Sequence, residues 1–177
     1  MICSEEIYHK AREIVRRCGT RDPLRIAQEL GIYVDYIDNF DALLGMYTYR
    51  YKERHILLNS KMDAMLTRMV FGHEIGHDTI HHDLARRNDM LPEFVLFDIR
   101  TRHEYEANTF AAHLCIDDEE MLDYLSRGFD VNQLAAAMNT NVNLMLIKLN
   151  EMNNMGCSLN LPFLPKSDFL KNIKPES

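Results

Sequence analysis

The stretch FGHEIGHDTIHHD, residues 71–83, says most about both the fold and the chemistry of this chain. It contains His73-Glu74-x-x-His77, the pattern in which two histidines bind one zinc ion and the glutamate activates water. Because positions four apart lie only about 40° apart around an α-helix, both imidazoles can reach the same ion. Glu74 follows the first histidine and is the candidate general base. The stretch therefore predicts a helix that presents two metal ligands and a base.

The residues around this motif predict that the two histidines are buried. We expect a helix over about 61–84, with Asn59 or Ser60 as its N-cap. In helical projection the histidines share a face with apolar residues, namely Met62, Leu66, Met69, Val70, Ile80 and Leu84. A buried basic pair is costly without a partner, which favours a metal site. Gly76 lies on the same face, where we expect it to leave room around the metal.

A catalytic zinc site needs a third protein ligand and leaves the fourth position to water. Asp83 lies ten residues after His73, which is the spacing of metzincin sites. Those sites break the helix with a glycine, whereas Ile80 and His81 are expected to continue it. His81 as a ligand would spread three ligands over about 12 Å of one straight helix, too far for one ion. Neither Asp83 nor His81 therefore fits the third position.

The remaining candidate lies in HEYEANTFAAHL, residues 103–114. In projection Glu104 falls on the apolar face of this predicted helix, whereas Glu106 and His113 point toward solvent. Asn108, one turn after Glu104, is placed to hydrogen-bond a histidine ring. We therefore predict a zinc site whose ligands are His73, His77 and Glu104.

The periodicity of the whole chain predicts an α+β fold with one small sheet. Helices are expected at 4–17 with Ser4 as N-cap, from Asp22-Pro23 to Leu30, and at 101–115, 117–127, 130–138 and 141–153. A strand is expected at 32–37 and a hairpin at 43–58 that turns at Lys52-Glu53-Arg54, while residues 89–100 are expected to be helical or irregular. We expect the hairpin to offer an edge strand to an extended substrate. Residues 1–153 are predicted to form one domain and residues 154–177 an extended tail.

Composition and charge exclude several classes of protein. With 46% hydrophobic and 27% charged residues among 177, the chain matches an ordinary globular protein and not a disordered one. No apolar run approaches the roughly 18 residues of a membrane span, and the N-terminus has no signal-peptide pattern, so a cytoplasmic protein is expected. The four cysteines are widely spaced and are expected to be reduced, with Cys115 in the core. The net charge of -7 disfavours binding to nucleic acid or to an anionic membrane.

Residues 130–153 have the rhythm of two helices joined at Asn139-Thr140, which is also the rhythm of a helix-turn-helix DNA reader. Between residues 117 and 153, however, seven acidic residues face two basic ones, where phosphate contacts would need positive charge. The many Leu and Met residues at helical spacing are therefore predicted to be core. We expect no direct contact with nucleic acid.

Two motifs together resemble the ImmA/IrrE family of metallopeptidases. HEIGH at 73–77 is followed by EYEANTFAAHL at 104–114, and GMYTYRYKERHILLNS at 45–60 is similar to the strand pair that precedes the active-site helix of the family. The resemblance covers about residues 5–150. The chain departs from the family pattern at LCIDDEE, residues 114–120, where the family usually has a leucine-rich segment ending in proline.

This resemblance implies a zincin-like fold of the gluzincin type, with His73, His77 and Glu104 as zinc ligands and Glu74 as general base. Similar proteins of prophages and other mobile elements act as anti-repressors, so the expected partner is a helix-turn-helix repressor that the enzyme cleaves. The alternative is a non-catalytic metal-fold protein that binds and regulates a repressor or another protein. Glu74 favours the enzyme, because metal ligation gives it no role. The donor to the transition-state oxyanion stays open among His81, His103 and Tyr105.

Overall fold

A computed structural model describes residues 2–88, 90–93 and 101–159, and within these ranges it contains eight helices and four strands. In chain order the elements are α1 (Ser4–Cys18), α2 (Pro23–Leu30), β1 (Tyr33–Ile37), β2 (Gly45–Arg50), β3 (Glu53–Asn59), α3 (Ala64–Ile80), α4 (His82–Asn88), β4 (Met90–Glu93), α5 (Arg102–Cys115), α6 (Asp118–Ser126), α7 (Val131–Ala137) and α8 (Val142–Asn154). The fold is α+β, which confirms the class predicted from the sequence. Among the described residues, no helix has both the length and the apolar character needed to cross a bilayer.

The four strands form one mixed sheet in the order β1-β3-β2-β4. Strand β1 runs parallel to β3, and β2 runs antiparallel to both β3 and β4. The hairpin turns at Tyr51 and Lys52, whose φ angles of 53° and 69° are typical of a two-residue turn between antiparallel strands. The predicted turn at Lys52-Glu53-Arg54 is therefore misplaced, because Glu53 and Arg54 already belong to β3.

The sheet has its edges at β1 and β4, so the prediction that the hairpin offers an edge strand is wrong. Strand β4 occupies the expected position beside β2, with Glu93 opposite Gly45. It lies in the segment that was expected to be helical or irregular, and its sequence MLPE is too short to show a period. Its pairing partner lies more than forty residues earlier in the chain, and local periodicity carries no information about such a contact.

Helix α3, which carries the motif, begins and ends at other residues than predicted. Asp63 is its N-cap, because its carboxylate accepts a hydrogen bond from the backbone N–H of Leu66 at 2.7 Å. Asn59, one of the predicted caps, instead donates from its side chain to the carbonyls of Phe40 and Leu43. The helix ends at Ile80, and α4 begins at His82, so the predicted continuation to residue 84 is wrong.

The N-cap of α1 is Cys3, and Ser4 is the first helical residue. The carboxylate of Glu6 accepts a hydrogen bond from the backbone N–H of Cys3 at 2.8 Å, which satisfies an N-terminal donor without a serine cap. The cap of α2 is Asp22, as the Asp22-Pro23 pair predicts, and Gly31 ends that helix.

Helices α3 and α5 approach each other closely, and glycines of α3 make this possible. A Cβ atom at Gly76 would lie 3.1 Å from the carbonyl oxygen of Ala107 and 3.2 Å from Cβ of Phe110. A Cβ atom at Gly72 would lie 2.9 Å from the sulfur of Cys115, which is a buried thiol as predicted. Gly76 therefore serves helix packing. Its expected role of leaving room around a metal is wrong.

The C-terminal helices complete the core. Helix α5 packs against α3, α1 and α8, and α7 packs against α8. Most Leu and Met residues of the segment that resembles a helix-turn-helix are buried as predicted, namely Leu134, Leu144, Met145, Leu146, Leu149 and Met152, whereas Met138 is half-buried. Leu159, which lies beyond α8, pairs through its backbone N–H and carbonyl with the side chain of Asn153 in α8. Residues 160–177 of the predicted tail lie outside the described residues, and the division at 153 stays a prediction.

Candidate metal centre

Three side chains from two helices converge inside the protein. His73 and His77 project from α3, and Glu104 projects from the first turn of α5. The Nε2 atoms of the two histidines are 2.9 Å apart, and Oε2 of Glu104 lies 3.2 Å from Nε2 of His73 and 3.6 Å from Nε2 of His77. Ligand atoms of a tetrahedral zinc ion lie about 3.3 Å apart, because each zinc–ligand bond is about 2.0–2.1 Å long. The spacing of the three atoms therefore fits a single ion.

The outward nitrogens of both imidazoles also have partners. Nδ1 of His73 lies 3.0 Å from Oδ1 of Asn108, so the structure brings Asn108 to the ring that it was expected to support. Nδ1 of His77 lies 3.0 Å from Nδ1 of His81. With their protons on Nδ1, both rings turn an Nε2 lone pair toward Glu104. This is the protonation state in which both Nε2 atoms and the Glu104 carboxylate can bind one cation.

Electrostatics also favour this assignment. Burial lowers the pKa of His77 to about 4, so this imidazole is neutral at pH 7. Burial raises the pKa of Glu104, but hydrogen bonds with His73 and His77 outweigh it, and the pKa of this carboxyl is lowered overall. A neutral imidazole and an ionised carboxylate are the forms in which these side chains bind metal.

The candidate base Glu74, which follows His73 in α3, is fully buried. Strand β2 begins next to it, and a Cβ atom at Gly45 would lie 2.7 Å from Oε1 of Glu74 and 2.6 Å from Cγ1 of Val70. Only glycine leaves space for the carboxylate at this position. In the sequence, Gly45 was visible only as a glycine at the start of a predicted strand. Its importance depends on the packing of α3 against this strand, which the sequence does not show.

The family model of the IrrE N-terminal-like domain, peptidase M78, matches residues 27–150. The chain belongs to this family. The match confirms the ImmA/IrrE resemblance and contains His73, Glu74, His77 and Glu104, while α1 precedes it. The chain is also 27% identical over 145 residues to a protein of Bacillus phage phi105 described as uncharacterized immunity region protein 2. That alignment covers 81% of this chain and 89% of the phage protein.

Two residues of the IrrE-like domain were predicted to face solvent and are buried. Glu106 is 6% exposed and His113 is 1% exposed. The helical projection assumed one buried face, but every residue of α5 from Glu106 to Cys115 is buried, because α1, α3 and α8 cover this helix on several sides. Glu106 contacts His81 and Arg102, and His113 contacts Lys148.

The other candidates of the IrrE-like domain have separate roles. Asp83 keeps 85% of its side chain exposed and pairs weakly with Arg86, so it lies outside the cluster.

Among the three candidate oxyanion donors, His81 contacts His77 and Glu106 through its two nitrogens. The Tyr105 hydroxyl donates to Glu151, and the exposed His103 stacks edge-on against His81 with ring centroids 5.0 Å apart. The donor stays undecided.

A polar cluster around Asp78, the residue that follows His77 in α3, was not predicted. The hydroxyl of Tyr47 donates to Oδ1 of Asp78 at 2.8 Å and lies 2.7 Å from Nδ1 of His82. Arg54 donates to the other oxygen of Asp78 at 3.1 Å. Burial and the charge of Asp78 raise the pKa of Tyr47 well above its usual range, so the hydroxyl keeps its proton. These contacts tie α3, just after His77, to β2, β3 and α4, and a sequence signal for them was Asp78 within the motif stretch.

Proposed function

We propose that this protein is a zinc-dependent endopeptidase that cleaves a partner regulatory protein. The observation that carries the proposal is the convergence of His73, His77 and Glu104 at a spacing that fits one ion, and the next residue of α3 after His73 is the fully buried Glu74. Two imidazoles and one carboxylate are a donor set that catalytic zinc sites use. Membership of a peptidase family supports the same reaction.

The residues of the chain divide the chemistry between them. Zinc, when bound, supplies a Lewis acid that polarises the scissile carbonyl and lowers the pKa of water toward about 7. Glu74 takes a proton from the attacking water and returns it to the departing amine. Asn108 holds the ring of His73, and burial keeps bulk water away from Glu74. Gly45 leaves the space in which the Glu74 carboxylate sits.

The substrate that we propose is a helix-turn-helix repressor of a mobile element, which makes this protein an anti-repressor. A similar phage protein is described as an uncharacterized immunity region protein, which supports a role in the regulation of a phage or another mobile element. The acidic chain, with a net charge of -7, is suited to bind a basic DNA-binding protein and unsuited to bind DNA itself. Such a substrate places the reaction in the cytoplasm.

The test compares the wild type with Glu74→Gln. Both proteins are analysed for zinc by elemental analysis and are then incubated with a purified helix-turn-helix repressor, the proposed class of substrate. We expect about one zinc per chain in both, and a loss of cleavage of about 10²- to 10⁴-fold in Glu74→Gln, because the amide cannot take the proton. The exposed Glu29→Gln is the matched control and should cleave normally.

Cleavage by Glu74→Gln at the wild-type rate would remove this residue from the role of base. If Glu74→Gln fails to cleave the repressor but still inactivates it, and the wild type also leaves it intact, the protein regulates by binding. Absence of zinc from the wild type, purified without chelator, would contradict the metal site itself.

A further inference from the structure

A chain of hydrogen bonds leads from one proposed zinc ligand to a buried carboxylate. Nδ1 of His77 lies 3.0 Å from Nδ1 of His81, and Nε2 of His81 lies 3.0 Å from Oε2 of Glu106. The other oxygen of Glu106 accepts a hydrogen bond from Arg102. His77, His81 and Glu106 are 1%, 6% and 6% exposed. The chain thus joins α3 to α5 by a second route, separate from Glu104.

The position of His81 depends on the end of α3. The helix stops at Ile80, and the backbone of His81 has a φ of -114° while its N–H still bonds to the carbonyl of His77 at 2.8 Å. His81 therefore stays one turn after His77 without continuing the helix. Its ring lies beside the ring of His77, with centroids 5.1 Å apart.

The hydrogen-bond partners along this chain determine which nitrogen of His77 and of His81 carries the proton. If Nε2 of His77 binds a cation, the proton of this neutral ring is on Nδ1 and is donated to Nδ1 of His81. The proton of His81 is then on Nε2 and is donated to Glu106. A carboxylate accepts only, so the chain ends there, and Arg102 keeps this carboxylate ionised. Only one arrangement of protons satisfies every contact.

We propose that His81 and Glu106 are positioning residues that hold His77 in the tautomer and orientation that present Nε2 to zinc. The inference rests on the proposed zinc site. The other proposed histidine ligand, His73, has a comparable partner, because its Nδ1 lies 3.0 Å from the amide oxygen of Asn108. Hydrogen bonds of this kind raise the basicity of a ligating imidazole and fix the direction of its lone pair.

The residues around the hydrogen-bonded chain from His77 to Glu106 do not favour a second metal site at His81. Within the described residues, His73, His77 and Glu104 form the one group whose ligand atoms lie close enough for an ion. His81, His103 and Glu106 line an open cavity of about 400 Å³ together with Ile2, Lys10, Ile80 and Arg102. The nitrogens of His81 face His77 and Glu106, so its role is to connect these two residues.

The closing experiment measures zinc affinity by competition with a chelator in the wild type, Glu106→Ala and Glu106→Gln. The matched control is Glu151→Ala, because Glu151 is also a buried carboxylate that accepts a hydrogen bond from α5, through Tyr105. We expect Glu106→Ala to bind zinc about 10- to 100-fold more weakly and Glu151→Ala to stay within about threefold of the wild type. Glu106→Gln should recover most of the affinity, since its amide oxygen accepts from His81.

A second measurement needs no variant and covers the case in which Glu106→Ala fails to fold. Long-range ¹H–¹⁵N correlation spectra of the zinc-loaded wild type report which imidazole nitrogen carries the proton. We expect the proton of His77 on Nδ1 and that of His81 on Nε2. A His81 proton on Nδ1, wild-type affinity in Glu106→Ala, or equal weakening in Glu151→Ala would each overturn the inference while the zinc site stands. A wild type that binds no zinc would overturn the zinc site and the inference together.

Discussion

Two largely buried clusters of this protein each combine histidine with a carboxylate, but they differ in what supplies the positive charge. The metal cluster consists of His73, His77 and Glu104, and the lysine cluster consists of His113, Asp118 and Lys148. Helix α5 contributes to both, with Glu104 near its start and His113 near its end. In the lysine cluster Nζ of Lys148, a fully buried residue, lies 2.9 Å from Nδ1 of His113 and pairs with Asp118.

The difference between the clusters is the source of the positive charge. The lysine cluster contains its own cation, and Tyr8 completes it by donating to Asp118 at 2.8 Å. In the metal cluster two imidazoles and one carboxylate converge at a spacing that fits one bound ion. A buried histidine beside a carboxylate is therefore not evidence of a metal site by itself. The evidence for a metal site is the spacing of the three ligand atoms, which fits one ion.

The largest effect that we expect is a loss of stability on removing the Lys148 ammonium, which should affect the lysine cluster and leave the metal cluster unchanged. Lys148→Met removes the buried ammonium that pairs with the half-buried Asp118 and the buried His113, and we expect a cost of about 3 kcal/mol in the free energy of unfolding, the lower end for a buried ion pair, because Tyr8 still donates to Asp118. Urea denaturation measures the loss, and zinc content should stay at the wild-type level. The exposed Lys61→Met is the control and should change stability by less than about 0.5 kcal/mol. A Lys148→Met protein as stable as the wild type would remove the distinction between the clusters.

The second-largest effect that we expect is a gain in the free energy of unfolding when zinc binds the metal cluster. Zinc at about 100 times its dissociation constant should raise the free energy of unfolding by about 2.7 kcal/mol, because the ion binds the folded chain. We expect the same increment in Lys148→Met and none in Glu104→Ala, as thermal unfolding with and without chelator would show. Glu119→Ala, which removes an exposed carboxylate, should keep the increment. An increment retained in Glu104→Ala would exclude Glu104 as a ligand.

The smallest effect concerns protons in the lysine cluster. Burial and the charge of Lys148 lower the pKa of His113 to about 3, whereas an unfolded histidine titrates near 6.5. Between these values the unfolded chain binds the proton and the folded chain does not, so stability falls as the pH falls. The contribution of His113 is about 1.4 kcal/mol per pH unit, or about 2 kcal/mol between pH 6.5 and 5.

The comparison of metal-free wild type with His113→Asn isolates this contribution, because the other histidines are common to both proteins. The asparagine oxygen can still accept from Lys148, so the variant keeps the contact and loses the titration. Denaturation curves at pH 7 and pH 5 should show the smaller pH dependence in His113→Asn. Equal pH dependence in the two proteins would mean that His113 titrates normally in the fold.

The convergence of His73, His77 and Glu104 was largely predictable, and the failures of prediction have a common cause. His73 and His77 are one turn apart on one helix, and the apolar periodicity of 103–114 was enough to place Glu104 on the side that meets them. The same projection placed Glu106 and His113 in solvent, because periodicity counts one buried face and α5 is covered on several sides. The extent of α3 was also misjudged, since continued polar and apolar spacing does not show that the helix stops at Ile80.

By itself the sequence determined which side chains are available for chemistry and which of them are neighbours within one turn of a helix, because helical geometry is local. The tertiary structure decided everything that depends on contacts between distant segments. It placed β4 at the edge of the sheet, Gly45 against Glu74, Glu106 behind His81, and Lys148 beside His113. The partners of a buried polar group come from whichever elements pack around it, and the spacing of residues along one element does not contain that information.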